Sequence, residues 1–160
     1  MKVDPLKEHD WLRRFVGEWT YEIEACMKPG DPPQKLTGTE TVRSIGGVWI
    51  VAEGRGEMPG GGEATTIFTL GFDPEAKKFV GSWIGSMMAF LWVYEGTLDA
   101  TEKVLTLNCE GPSMDGSGGT TRYKDVHTFI SDNERTLAGN VLGKDGQWSE
   151  MMICTYRRKK

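Results

Sequence analysis

The sequence predicts an all-β protein: a single antiparallel up-and-down β-barrel of about ten strands, with a short N-terminal helix that plugs one end. Helix-like spacing of apolar residues occurs only near the N-terminus, and the rest of the chain alternates apolar and polar residues between short turns. Glycine, at 21 of 160 residues, is abundant enough to supply those turns. Consecutive strands with one apolar face most simply close into a barrel, which removes exposed sheet edges. A two-sheet sandwich is the alternative, but no long crossover connection is visible.

The predicted helix spans residues 5–16. Asp4 suits the N-cap position and Pro5 suits the first helical position, because proline lacks only an N–H that would be unpaired there. Gly17 is expected to end the helix. One side of the helix is apolar and carries Trp11, Leu12, Phe15 and Val16. Because so short a helix is marginal alone, it must pack against another part of the chain.

The strands are predicted between residues 17 and 158 of one domain, 1–160. The first strand shows period-two alternation, with glutamates and a threonine on the outer face. Its inner face carries Trp19, Tyr21, Ile23, Ala25 and Met27. Turns rich in Gly, Pro, Asp and Asn separate the segments, beginning with 29–33. The predicted strands are 17–27, 36–45, 48–58, 63–73, 78–85, 90–98, 104–109, 120–131, 134–142 and 147–158.

Charge and cysteine content limit the classes of partner. The net charge is -4, and without the four basic residues 157–160 it is 15 minus 23, or -8, so a nucleic-acid partner is not expected. The three cysteines contain no CxxC pair, which argues against a disulfide framework and against a metal site. Residues 1–8 do not resemble a signal peptide, so we expect a cytoplasmic protein. The longest apolar stretch, 83–94, is too short for a membrane span.

The segment Gly17-Glu18-Trp19, at the junction of helix and first strand, resembles the G-x-W signature of the calycins, which include lipocalins and fatty-acid-binding proteins. The resemblance implies that Trp19 lies in the base of the barrel and that a basic residue of the last strand, Arg157 or Arg158, covers it. Nearly the whole chain also resembles a bacterial family, Domain of Unknown Function 1579. The matching pieces are 8–12, 16–19, 27–30, 38–40, Arg43, 46–47, 71–73, 77–80, 82–84 and 155–157.

This family resemblance implies a calycin-like barrel and no particular activity. The chain departs from the family pattern at two positions. Gly85 and Ile153 stand where relatives often carry acidic residues, so any chemistry of those carboxylates is in doubt here.

The barrel interior is the first candidate site, because a barrel of eight or more strands can enclose one small ligand. Aromatic side chains offer large contact areas and methionine adapts to irregular shapes. The alternative is that these side chains simply fill the core. The residues predicted to bind a ligand are Trp19, Tyr21, Ile23, Phe68, Phe72, Trp83, Met87, Trp92 and Tyr94.

Three polar residues of one strand are further candidates. An inward Arg122 would indicate a carboxylate or phosphate on the ligand; otherwise it is a surface arginine. Asp125 and His127 share a face, so the carboxylate could orient the imidazole for acid–base catalysis; otherwise the two form an exposed polar pair. One family of calycin barrels holds haem through a single histidine, which makes haem on His127 an alternative, although no cofactor is predicted. His9, in the helix, is expected at the surface or in a capping role.

Three functions remain open from the sequence. The first is a module that binds a small apolar or amphipathic molecule inside the barrel. The second is an enzyme or haem protein that uses Asp125, His127 or Arg122 in the same cavity. The third is an interaction protein, for which outward Trp49 and Val51 are the clue; self-association into a homodimer is the simplest use of such a patch.

Overall fold

The computed structural model describes residues 1–26 and 31–160, and it confirms the predicted barrel. The predicted strand residue Met27, positions 29 and 30 of the first predicted turn, and the family-like piece 27–30 lie outside the described residues. The elements are α1 (Lys7–Leu12), a 3-10 turn (Arg13–Phe15), β1 (Gly17–Ala25), β2 (Gln34–Ile45), β3 (Trp49–Glu57), β4 (Glu63–Asp73), β5 (Lys78–Gly85), β6 (Trp92–Leu98), β7 (Val104–Pro112), β8 (Thr120–Ser131), β9 (Glu134–Leu142) and β10 (Trp148–Arg158).

Ten strands close into one antiparallel barrel in which each strand pairs with the next and β1 pairs with β10. In the closing pairs, Tyr21 of β1 lies opposite Gly38 of β2 on one side and opposite Tyr156 of β10 on the other. Every strand therefore has two neighbours, and no strand edge is left unpaired within the barrel. The side chains alternate between the barrel interior and the outer surface along each strand.

The N-terminal helix is shorter than predicted. It begins at Lys7, after an N-cap at Leu6, instead of after Asp4, and the last predicted turn is a 3-10 turn. The Nδ1 atom of His9 accepts a hydrogen bond from the backbone N–H of Leu6 over 2.9 Å, so a side chain inside the helix caps it. His9 is thus a capping residue as predicted, but the expected surface position is wrong, because it is buried edge-on against Phe72.

Tertiary packing holds this short helix against one end of the barrel. The Trp11 ring meets Phe79 at a centroid distance of 5.6 Å, and Phe15 meets Phe129 at 4.9 Å. The indole Nε1 of Trp11 donates a hydrogen bond of 2.7 Å to the carbonyl oxygen of Glu102 in the β6–β7 turn. Buried aromatic contacts of this kind, with the polar atom of the indole satisfied, close this end of the barrel.

Trp19 lies at the base of the barrel, as the calycin resemblance implies. It is fully buried, and its Nε1 donates a hydrogen bond of 2.8 Å to the carbonyl oxygen of Phe15. Of the two candidate covering residues, Arg158 performs this role: its guanidinium carbon lies 4.2 Å from the centroid of the Trp19 ring. Arg158 also donates hydrogen bonds to the carbonyl oxygens of Val16 and Arg14, which fasten the last strand to the end of the helix.

No helix within residues 1–26 and 31–160 is long and apolar enough to span a membrane.

Candidate functional site

The barrel encloses a cavity of about 310 Å³, near the lower end of the size range of small-molecule sites. It begins inside the barrel above the end that the helix closes, and it extends toward the opposite end. There its lining includes Met114, which is 60% exposed, so the cavity reaches solvent at that end. Most of the lining is apolar or aromatic. The lining residues are Tyr21, Ile23, Glu40, Thr66, Phe68, Trp83, Met88, Trp92, Tyr94, Cys109, Met114, Tyr123, Asp125, His127, Arg135, Leu137, Met151, Met152, Cys154 and Tyr156.

Glycines on the inner faces of β2 and β3 help to keep this space open. The ring of Tyr21 lies directly over Gly38 and Gly56, and a Cβ atom at either position would collide with it. The Tyr21 ring can therefore lie close to the barrel wall instead of crossing the interior. Burial, with smaller contributions from Cys154 and Glu40, raises the pKa of Tyr21 to about 12, so the phenol stays protonated.

Methionines gather around the open end of the cavity. A β-bulge between Glu150 and Met152 shifts the register of β10 against β9, and as a result both Met151 and Met152 line the cavity although they are neighbours in sequence. Met88 and Met114 join them from the β5–β6 and β7–β8 connections. Unbranched, polarisable side chains can adjust to the shape of a bound molecule.

A buried ion pair provides most of the charge at the inner end of the cavity. Nη2 of Arg135 on β9 contacts Oε1 of Glu40 on β2, and the two side chains are 2% and 10% exposed. The guanidinium carbon lies 3.7 Å from the centroid of the Tyr156 ring and 4.7 Å from that of Trp19. The Nε atom of Arg135 is buried without a hydrogen-bond partner among the described residues. The guanidinium of Arg135, the one buried lysine or arginine side chain among the described residues, is therefore already neutralised by a protein carboxylate.

Asp125 and His127 both face the interior, so the alternative of an exposed polar pair is wrong. Tyr94 Oη donates a hydrogen bond of 2.7 Å to Oδ2 of Asp125. Burial raises the pKa of Asp125 above its usual range, and this hydrogen bond only partly opposes the effect. No hydrogen bond joins Asp125 to His127 in the described structure; Tyr94 is the partner of the carboxyl group instead.

His127 is enclosed by aromatic rings. Its imidazole stacks on Phe68 at a centroid distance of 5.4 Å and an interplanar angle of 11°, and the Phe15 ring meets it edge-on. Its Nδ1 atom is buried without a hydrogen-bond partner among the described residues. Burial, assisted by the positive charge of Arg135, lowers the pKa of His127 to about 3. The imidazole is therefore neutral at physiological pH.

The residues around His127 do not fit haem ligation. A histidine that binds a metal almost always donates its other ring N–H to a carboxylate, a carbonyl or water. Nδ1 of His127 has no carboxylate or carbonyl partner within the described residues, and one face of the ring is covered by Phe68. Residues 1–26 and 31–160 also contain no group of three His, Cys, Asp or Glu side chains placed to hold a metal ion.

The structure places the ten residues predicted to bind a ligand in four locations. Trp19 and Phe72 lie in the interior but pack around the closed end, outside the lining of the cavity. Arg122 lies on the outer surface. Met87 lies at the rim of the barrel, 45% exposed, with its sulfur over Gly85 beside the ring of Trp83, and it is not part of the lining. The six that line the cavity are Tyr21, Ile23, Phe68, Trp83, Trp92 and Tyr94, and their role in binding stays a prediction.

The positions of Met87 and Arg122 have simple physical reasons. Strand β5 ends at Gly85, so alternation no longer applies at Met87, and its neighbour Met88 faces the cavity instead. Met88 accepts a hydrogen bond of 3.1 Å from the indole N–H of Trp92. Arg122 alternates with the inward residues of β8; its side chain is 70% exposed and its Nε lies 3.5 Å from Oε1 of Glu110. An exposed pair of this kind contributes little to stability and nothing to the cavity.

Sequence reasoning missed Glu40 and Arg135, although alternation contained a signal for both. Arg135 falls on the same face of β9 as Leu137 and Val141. Glu40 falls on the same face of β2 as Val42. A charged residue in phase with apolar ones marks a candidate buried ion pair, but the partner lies on a distant strand.

The fold and the cavity together define a calycin-like barrel with an interior site. Residues 4–158 match the family described as "Protein of unknown function (DUF1579)", and the chain belongs to that family. No curated protein matches the chain.

Solved structures share the architecture at low sequence identity. Rv2717c from M. tuberculosis is 11% identical, with a TM-score of 0.69, and the match covers 98% of this chain and 100% of that one. A de novo designed fluorescence-activating β-barrel is 11% identical with a TM-score of 0.51, covering 92% and 95% of the two chains. The barrel mFAP2b, in a structure bound to DFHBI, is 12% identical with a TM-score of 0.51, covering 95% and 99%. These likenesses support the fold.

Proposed function

We propose that this protein binds a small, mainly apolar molecule inside the barrel. The observation that carries the proposal is the cavity of about 310 Å³, whose wall is mainly aromatic and aliphatic with a few polar groups at its inner end. A solid core would not leave this volume at the centre of a barrel, because protein interiors are normally packed without such spaces. A barrel of similar architecture is bound to DFHBI, which supports the proposal that a barrel of this kind can bind a small molecule.

Native mass spectrometry of the freshly purified protein is the first test. We expect a defined excess mass that disappears on denaturation, because a molecule bound tightly inside the barrel stays bound during purification. A second test uses the neutral fluorophore N-phenyl-1-naphthylamine, which brightens in apolar surroundings. We expect saturable binding of one probe molecule to each chain that lacks a co-purified molecule. A native mass spectrum without excess mass, together with no saturable probe binding, would refute the proposal.

Two variants make the probe experiment specific to the cavity. Leu137→Trp adds a large side chain to the cavity wall and should abolish the probe signal or weaken binding at least about tenfold. Val93→Trp adds the same side chain to an outward position of β6 that is 61% exposed, and it should leave probe binding unchanged. Thermal unfolding of both variants confirms that they are folded. Equal probe binding by the two variants would place the probe outside the barrel.

An acid–base enzyme is the second candidate function. The observation that favours it is the position of Asp125 at the cavity wall, where burial raises the pKa of its carboxyl group, beside its hydrogen-bond partner Tyr94 and near neutral His127. The test incubates the molecule released from the purified protein with the wild-type protein and with Asp125→Asn, whose side chain can keep the Tyr94 hydrogen bond. Conversion by the wild type alone, measured by mass spectrometry, supports catalysis; no conversion by either contradicts it.

A further inference from the structure

The charges around the cavity restrict the class of ligand. Among residues 1–26 and 31–160, the lining contains one cationic side chain, Arg135, and its ion pair with Glu40 is buried. His127 carries no positive charge because burial and Arg135 lower its pKa to about 3. Asp125 adds either no charge or one negative charge, according to its protonation. The net charge of the described lining is therefore zero or negative, and an anionic ligand meets no unpaired cationic side chain within it.

An anionic headgroup would be costly in this position. A carboxylate loses its hydration on entering the barrel, and this loss is compensated only by a cation or by several N–H donors. Glu40 already occupies Nη2 of Arg135, and it would repel a second carboxylate placed beside the same guanidinium. Arg122, the arginine that the sequence suggested as a partner for an anionic ligand, lies outward and cannot pair with an anion in the cavity.

An uncharged polar group suits the same surroundings. Phenol groups of Tyr21, Tyr94 and Tyr123 and the thiol of Cys109 line the cavity as neutral hydrogen-bonding groups. Burial keeps the Cys109 thiol protonated by raising its pKa to about 12. The aromatic and methionine-rich remainder of the wall suits an apolar or aromatic body.

We propose that the ligand is electrically neutral, an apolar or aromatic molecule carrying an uncharged polar group such as a hydroxyl, carbonyl or amide, and that the ion pair of Glu40 with Arg135 excludes the corresponding carboxylate. This inference rests on the proposed function, since it concerns the selectivity of the same cavity. It narrows the apolar or amphipathic class expected from the sequence to molecules without a charged headgroup.

Three naphthalene probes of nearly equal size test the inference at pH 7. They are 2-naphthamide, 2-naphthoate and 2-naphthylmethylammonium, which are neutral, anionic and cationic. Calorimetric titration of the wild-type protein should show the amide binding at least about tenfold more tightly than either charged probe. Tighter or equal binding of the carboxylate or of the cation would overturn the inference while leaving the proposed function intact. Binding of none, with a bare native mass spectrum, would overturn both.

The molecule found by native mass spectrometry provides an independent reading. A co-purified compound that is uncharged at pH 7 supports the inference even if none of the naphthalene probes fits the cavity. A co-purified carboxylate, phosphate or amine contradicts the inference and supports the proposed function.

Glu40→Gln identifies the ion pair as the source of selectivity. The substitution keeps the shape of the side chain and leaves Arg135 without its counter-ion, so 2-naphthoate should bind at least about tenfold more tightly to the variant than to the wild type. Glu53→Gln is the matched control, because Glu53 lies outward on β3 in an exposed pair with Arg55 and should leave all three affinities unchanged. An unchanged affinity of folded Glu40→Gln for naphthoate would contradict the assigned role. If Glu40→Gln does not fold, the affinities of the wild-type protein for the three naphthalene probes still test whether the ligand is neutral.

Discussion

His127→Phe should make the protein more resistant to mild acid. His127 is neutral in the folded protein, with a pKa of about 3, whereas the ordinary value is 6.5. Between these two values the unfolded chain binds a proton that the folded protein does not bind, so stability falls as the pH is lowered through this window. Phenylalanine cannot bind a proton, and it can keep the stacking on Phe68 and the edge contact with Phe15.

The size of the effect follows from the two pKa values. At pH 4.5, protonation of the histidine stabilises the unfolded chain by about 2–3 kcal/mol, and at pH 7 it contributes almost nothing. Because pH 4.5 still lies above the folded pKa, the figure depends mainly on the ordinary value of 6.5. Between pH 7 and pH 4.5, the wild-type protein should therefore lose about 2–3 kcal/mol more of its unfolding free energy than His127→Phe.

Urea unfolding followed by circular dichroism measures this difference. Both proteins are unfolded at pH 7.0 and at pH 4.5, and the change in unfolding free energy with pH is compared between them. Asp125 is present in both proteins, so its own titration cancels in the comparison. Equal losses in the two proteins would show that His127 titrates normally in the folded state, and would refute its placement as a desolvated, neutral imidazole.

Two further substitutions test the cavity wall and the buried ion pair. Gly38→Ala places a Cβ against the ring of Tyr21 and should lower the unfolding free energy by about 1–3 kcal/mol through overpacking. Because the ring would move toward the cavity, the variant should also bind N-phenyl-1-naphthylamine more weakly. Normal stability together with normal binding would contradict the close approach of Tyr21 to Gly38. Glu40→Gln leaves the buried Arg135 without its counter-ion and should lower the unfolding free energy, measured in urea, by about 3–5 kcal/mol. Arg122→Ala removes one partner of an exposed pair and should lower it by less than about 1 kcal/mol. Similar losses in the two variants would argue against the buried position of the ion pair.

Alternation predicted the barrel because its information is local. A strand can be recognised from alternation with a period of two and from the turns that flank it. Ten consecutive strands joined by short turns are compatible with few sheet topologies. The same periodicity shows that Arg122 and His127 lie on opposite faces of β8, but it does not say which face is inside. The aromatic residues that share the His127 face, Tyr123 and Phe129, are the side chains that a barrel interior favours, and the structure places both inside.

The features of the cavity that the sequence did not predict occur where local periodicity is interrupted or where a contact depends on a distant strand. A bulge in β10 places Met151 and Met152 together on the cavity wall, which no uniform alternation predicts. The partner of Arg135 lies 95 residues earlier in the chain, at Glu40, and that pairing exists only after the barrel has closed. Such contacts between distant strands cannot be identified from the sequence of either strand alone.

The closure of one end by the helix affects the kinetics of any molecule held in the barrel. Trp11 and Phe15 pack across that end, whereas the lining at the opposite end includes Met114, which is 60% exposed, so a molecule that enters there passes Met114. A change that alters only the barrier to passage, and no contact with the bound molecule, changes the association and dissociation rates together and leaves the equilibrium affinity constant. A change at the inner end, near Arg135, alters the affinity and is expressed mainly as a change in residence time.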